Sequence, residues 1–215
     1  NNFINEKEYK SLKKKKIILK KNKRVLLEDA QFYIEDVRKS IIDKLSYEKV
    51  YKQGFNINTP INLDLQKIAT DVLRKGLISY DKRKGWHGAL ENKKYTKDWA
   101  KDLNKYKLEK SIKWKIAIIK VIGKFSVEIE LANKKNGIIE YKDISWTKKE
   151  FNELFQEGDL IYVENIKENK FSLKQIPKIN GGIVVMDPYT GRVLALSGGF
   201  SFKNSEFNRA TQALR

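Results

Sequence analysis

The stretch Trp114–Leu131, "WKIAIIKVIGKFSVEIEL", carries the reading on which the fold turns. In its second half Phe125, Val127, Ile129 and Leu131 are apolar and the residues between them are polar. A pleated strand sends successive side chains to opposite faces, so this period of two predicts a half-buried strand. The first half is a nearly continuous apolar run ended by Gly123, and it predicts the strand before. Glu128 and Glu130 then share the face away from Phe125 and Val127. Two carboxylates on one face are an acid–base candidate, but the reading preferred here is two exposed side chains opposite a core face.

Outward from this stretch the pattern repeats. "ANKKNG" (132–137) predicts a turn and "IIEY" (138–141) a third strand. "SWTKKEFNELF" (145–155) predicts a short helix, with Ser145 or Thr147 available to cap it. "GDLIYVENI" (158–166) and "KFSLKQI" (170–176) predict two further strands around "KEN", and Pro177 closes the module. Five short strands with a helix between the third and fourth is the order of an OB-type barrel, placed at 111–177. Small open barrels and meanders share that order. Such barrels hold single-stranded nucleic acid by stacking bases on exposed aromatics and following the backbone with Lys and Arg. Phe125, Phe171 and Leu173 fall in phase with the core, which leaves Trp146 and Tyr162 as the candidate surface contacts.

Upstream, residues 1–27 pair a lysine run with short apolar clusters, "SLKKKKIILKKNKRVLL", without a clean period. A solvated linker is preferred there over an arm for phosphates or lipid head groups. Asp29 is placed as N-cap of a helix carrying Ile34, Val37, Ile41 and Leu45. "GFNINTPI" (54–61) predicts a short strand stopped by Pro60. Asn62 then caps a helix whose apolar face is Leu65, Ile68, Ala69, Val72, Leu73 and Leu77. "YDKRKGWHG" (80–88) ends that helix, and 89–110 is a polar, lysine-rich connector.

Downstream, "GGIVVMDPYTGRVLALSGG" (181–199) predicts a hairpin. Asp187 can bond its own backbone, Pro188 presets φ, and Gly191 accepts the left-handed conformation that closes the turn. A lone hairpin is marginal in water, so 54–58 and the helix after Asn62 are expected to pack against it. The fold class expected is α+β, a five-stranded OB-like barrel inserted into a small helix-plus-strand subdomain. The divisions are 1–45, 46–88, 89–110, 111–177 and 178–215.

Composition narrows the chemistry. Against 27 Asp and Glu stand 45 Lys and Arg, a net charge of +18 that favours an anionic partner. Heavy use of Lys, Asn and Ile throughout, with a solvated surface, accounts for the same excess. There is no cysteine, so disulfides, thiol catalysis and Cys-based zinc sites are excluded. His87 is the only histidine, which leaves a His-based metal site or triad without partners and gives it a loop-packing role. No phosphate-cradling Gly-x-x-x-x-Gly-Lys-Ser/Thr run occurs, and no apolar run reaches the ~18 residues that span a bilayer. No residue stands out as a catalyst, and neither cofactor nor metal is expected. A first residue of Asn rather than Met points to a piece of something longer.

The stretch "GGIVVMDPYTGRVLALSGGFSFKNSEFNRATQALR" (181–215) resembles the start of the transpeptidase domain of class A penicillin-binding proteins, type 1A group, of Gram-negative bacteria. The resemblance runs through Asp187, Pro188, Thr190, Gly191, Gly198, Gly199, Phe207, Asn208, Arg209, Ala210, Thr211, Ala213 and Arg215. "EDAQFYIEDVRKSI" (28–41) resembles the helix leaving that family's glycosyltransferase domain. Residues 54–88 resemble its strand–helix unit, with Pro60 and Asn62 where the family writes Thr and Asp. The resemblance implies a bifunctional synthase that polymerises lipid II and cross-links stem peptides, with the OB-like module inserted between domains. It implies that Asp187, Pro188, Thr190, Gly191, Gly198, Gly199, Asn208, Arg209 and Ala210 are structural positions. The Ser-x-x-Lys serine, the target of β-lactams in the parent, is expected just beyond Arg215, and a divalent cation belongs to the glycosyltransferase domain. The implied location is the periplasmic side of the bacterial inner membrane, with the anchor outside this segment and an envelope regulator as partner of the barrel. The rival from another class is a free-standing OB-type module for single-stranded nucleic acid, and a third reading is a spacer with no partner.

Overall fold

The computed structural model describes residues 5–13 and 27–214; residues 1–4, the lysine-rich stretch 14–26 and Arg215 lie outside them, and with them most of the segment read as a solvated linker. Helix α1 (Glu6–Lys13) precedes a 3-10 turn (Glu28–Ala30), α2 (Gln31–Leu45), α3 (Tyr47–Gln53) and α4 (Leu63–Lys82). Strand β1 (Glu91–Asn92) leads to β2 (Lys115–Ile122), β3 (Ser126–Leu131) and β4 (Asn136–Glu140). Helix α5 (Phe151–Leu154), β5 (Asp159–Lys167) and β6 (Lys170–Lys174) follow, and the hairpin β7 (Ile183–Met186) and β8 (Val193–Ser197) comes last.

Strands β2, β3, β4, β6 and β5 join in that order, and β5 returns to β2, so the barrel is closed. The β4–β6 pair is parallel through Ile138 and Lys170; the rest are antiparallel. This is the α+β arrangement with an inserted OB-like barrel that the strand order predicts. Ala117, Ile119, Val127, Ile129, Ile161 and Leu173 fill the interior, and Phe151, Leu154 and Phe155 of the α5 segment plug one end. Each fully buried Ile or Leu contributes about 1.5–3 kcal/mol relative to exposure. The expected helix over 145–155 is split into a 3-10 turn at Ser145–Thr147 and the short α5. Neither Ser145 nor Thr147 caps α5; Glu150 does, in a reciprocal capping box with Glu153.

The connector is the largest departure from the sequence reading. Trp99 and Leu103 bury against Ile118 and Leu160, the outward residues of β2 and β5, and form a second core outside the barrel wall. That layer overturns two assignments. Glu130 is 7% exposed rather than solvated, and its carboxylate accepts from Trp99 Nε1 at 2.8 Å and Tyr95 Oη at 2.7 Å. Burial raises its pKa, but these donors and Lys134 outweigh it and hold the carboxyl below its ordinary range. Tyr162 is 3% exposed, so it is no surface contact; its hydroxyl donates to Tyr106 O at 2.6 Å. Burial pushes that phenol up to about 12. Phe125 departs the other way. It sits in the tight turn closed by Gly123 N donating to Ser126 O, and is 79% exposed.

Helix α4 starts where Asn62 Oδ1 accepts from Asp64 N at 3.1 Å and Leu65 N at 3.0 Å. Its buried stripe differs from the expected face, because Ile68 and Val72 are more than half exposed. Ala69 and Leu77 are buried as expected, and the polar Gln66, Thr70, Arg74 and Asp81 join them. Asp29 does not cap α2; its Oδ1 lies 3.1 Å from Arg74 Nη1. Residues 54–61 run without ladder partners rather than as a strand, and at their end Asn62 N donates to Leu194 O at 2.9 Å.

Candidate functional site

The hairpin and the segment after it hold the motif positions, in two groups separated by the length of β7 and β8. At the tip, Asp187 Oδ1 accepts from Tyr189 N at 2.9 Å and Oδ2 from the Thr190 hydroxyl at 2.6 Å. Those donors, the hydroxyl first, hold the Asp187 carboxyl below its usual range. Pro188 follows it in the turn, and Gly191 closes the reversal at φ +69°.

At the other end the chain folds back on the hairpin. Arg209 N donates to Gly198 O at 3.1 Å. Asn208, 5% exposed, donates its N–H to Gln212 Oε1 at 2.8 Å and accepts Ala210 N on Oδ1 at 3.1 Å. Gly198 makes this approach feasible, since a Cβ there would lie 2.1 Å from Asn208 Oδ1 and 2.7 Å from its Cα. Gly199 is packed between Asn180 and Phe32. Thr211 donates to Asp36 on α2 at 2.7 Å, and Arg209 lies over the Phe207 ring. Asn208 Nδ2 is buried with no partner among the described residues.

Polar side chains the sequence reading left aside bind these pieces together. Gln66 behaves as an extra strand residue: Nε2 donates to Leu196 O at 3.0 Å and Oε1 accepts Leu196 N at 2.9 Å. Arg74 donates to Phe200 O at 2.9 Å and to Ser111 Oγ at 2.9 Å. Asp81, 1% exposed, gathers both ends of the insertion. Its oxygens lie within 3.0 Å of His87 Nε2, Gln175 Nε2 and Lys178 N. An ionised carboxylate only accepts, so His87 Nε2 carries a proton. The available signal was polar residues at i, i+4, i+8 in α4, a spacing that aligns Gln66, Thr70 and Arg74 on one face.

This arrangement positions backbone. No serine or threonine hydroxyl bonds His87, and no group of three acidic or histidine ligands occurs among the described residues. Of the barrel aromatics put forward as contacts, Trp146 is half-buried, edge-on to Trp86 at 6.3 Å and beneath Lys82. No helix among the described residues is long and apolar enough to cross a membrane.

Residues 86–179 match the family model described as "Penicillin-binding protein OB-like domain". Penicillin-binding protein 1A of Rickettsia prowazekii is 36% identical over 191 residues, 86% of this chain and 24% of that protein. The Pseudomonas aeruginosa protein of the same name is 26% identical across 99% of the chain and 27% of its own length. A crystal structure of penicillin-binding protein 1A from Haemophilus influenzae superposes with a TM-score of 0.74 at 28% identity, covering 99% of this chain and 32% of that one. The chain therefore belongs to the class A penicillin-binding proteins. Within them it is a segment of the 1A group, and it spans about a quarter of the length of the curated relatives it matches.

Proposed function

We propose that this chain is the non-catalytic middle of a bifunctional peptidoglycan synthase, holding two catalytic domains of a longer parent at a set spacing. The parent would polymerise lipid II and cross-link stem peptides on the periplasmic side of the inner membrane. The observation that carries this reading is the buried carboxylate of Asp81. It ties the helix before the barrel to both the entry and the exit of the inserted module. A spacer tied in this way transmits position, where a free linker would lose it. The motif positions at 187–191 and 198–210 are scaffolding in this reading. A fluorescent β-lactam is expected to label the full-length parent covalently and leave the 215-residue chain dark; labelling of the chain alone would overturn the assignment.

The barrel also serves this reading as the docking face for an envelope regulator. Phe125 supports it, projecting 79% exposed from its turn with Tyr141 and Lys142 beside it. Truncating a central aromatic anchor commonly costs about 2 kcal/mol or more, so Phe125→Ser is expected to weaken saturable regulator binding by about thirtyfold. Unchanged affinity would leave the barrel a spacer only. The rival single-stranded nucleic-acid module gains nothing from the family match, and its stacking candidate Tyr162 is buried.

A further inference from the structure

Between the connector and the barrel lies a cleft of about 650 Å³ that reaches from Lys115, at the start of β2, to Lys203 beside the terminal motif. That volume is within the usual range for ligand sites. Lys107, Lys110, Lys115 and Lys203 line it, and all four are exposed. Two acids line it as well, but Glu109 is consumed inside the wall. It is 1% exposed, with Oε2 accepting from the Ser201 hydroxyl at 2.7 Å and Oε1 from Lys203 N at 3.0 Å. Among the described residues Lys107, Lys110 and Lys115 have no ion-pair partner, and Lys203 Nζ meets only the Leu108 carbonyl. The cleft thus presents four ammonium groups against the single exposed carboxylate of Asp102.

The rest of the lining narrows the class of anion. Trp114 already packs at a tilt against Tyr162 at 6.0 Å and Phe200 at 5.4 Å, and Lys105 lies over one face of the Tyr106 ring. Open faces for base stacking, which single-stranded nucleic acid uses, are therefore few. No arginine fork lines the cleft; its cations are lysines, compact point charges without the planar geometry that grips an anion bidentately. Ile112 and Ile116 give the floor a shallow apolar surface that matches small side chains.

We propose that this cleft binds the carboxylate-bearing stem peptides of un-cross-linked peptidoglycan. This rests on the reading of the chain as part of a peptidoglycan synthase. The site holds substrate strands beside the segment that leads into Asn208, raising their local concentration there.

The test titrates the chain, at one fixed ionic strength, with three probes: soluble glycan strands carrying stem peptides, the same strands stripped by an amidase, and a single-stranded oligonucleotide. Peptide-bearing strands are expected to bind at least about tenfold more tightly than either other probe. The combined variant Lys107→Gln, Lys110→Gln, Lys115→Gln is expected to lose about tenfold or more. A matched variant at Lys39, Lys75 and Lys149, exposed lysines that do not line the cleft, is expected to keep its affinity. Absent binding, equal binding of stripped strands or oligonucleotide, or equal loss in both triple variants each overturns the proposal. Equal melting temperatures of both variants and the wild type exclude misfolding as the cause. None of these failures touches β-lactam labelling of the parent, so the two readings fail separately.

Discussion

Replacing Asp81 with alanine is expected to lower the unfolding free energy by about 2–3 kcal/mol, the order of cost of leaving buried donors without their acceptor. The carboxylate is the shared acceptor for His87 Nε2, Gln175 Nε2 and Lys178 N, at 2.7–3.0 Å. Alanine leaves three donors facing a dry hole. Asp81→Asn retains the shape but turns an NH2 group toward those donors, so it should recover only part of the loss. Urea unfolding followed by Trp fluorescence gives the magnitude, and limited proteolysis at 84–88 and 175–180 reads the junction directly. A loss below about 1 kcal/mol with unchanged cleavage would mean that the insertion is held elsewhere.

Gly198→Ala attacks the other end of the hairpin. The new methyl would sit 2.7 Å from the Asn208 backbone Cα, which cannot swing aside as a side-chain tip can. Overpacking of this kind costs about 1–3 kcal/mol or more. Relief is expected to come from expelling the 207–212 turn, because the rest of β8 is clamped by Gln66. Amide exchange at Arg209, whose N–H bonds Gly198 O, should then rise by at least about a hundredfold. In the parent, acylation by a β-lactam should slow by more than about tenfold, because small misplacement of a reacting group carries that penalty. Unchanged exchange at Arg209 would show that the motif does not depend on this close approach.

The parts of this fold legible in the sequence are those whose pattern has a single physical reading. Asn62 before a helical period means a cap, and Asp187-Pro188 followed by Gly191 means a reversal. Alternation from Val127 to Leu131 means a strand with one face inside. What misled was a second layer that alternation alone cannot reveal. Tyr162 and Glu130 point outward from the barrel, as their positions require, and the connector then covers them. Its Trp99 and Leu103 are isolated among lysines, so no periodic signal announces them. Phe125 extended the alternation by one residue too many, into the turn. The buried stripe of α4 was missed for a related reason. Gln66, Thr70, Arg74 and Asp81 carry no apolar signal, yet each finds a buried partner. Polar groups that meet partners far along the chain leave no local trace.

The clamp between Gln66 and Leu196 also sets a timetable. The two residues are 130 positions apart, with the whole barrel between them. At about 5–20 residues per second of synthesis, roughly 6–26 s elapse after α4 emerges before its strand exists. The barrel, with its own core, can condense during that interval, while Gln66 waits for the strand it clamps. A pause engineered just before codon 193 would lengthen the interval in which Gln66 lacks its strand partner.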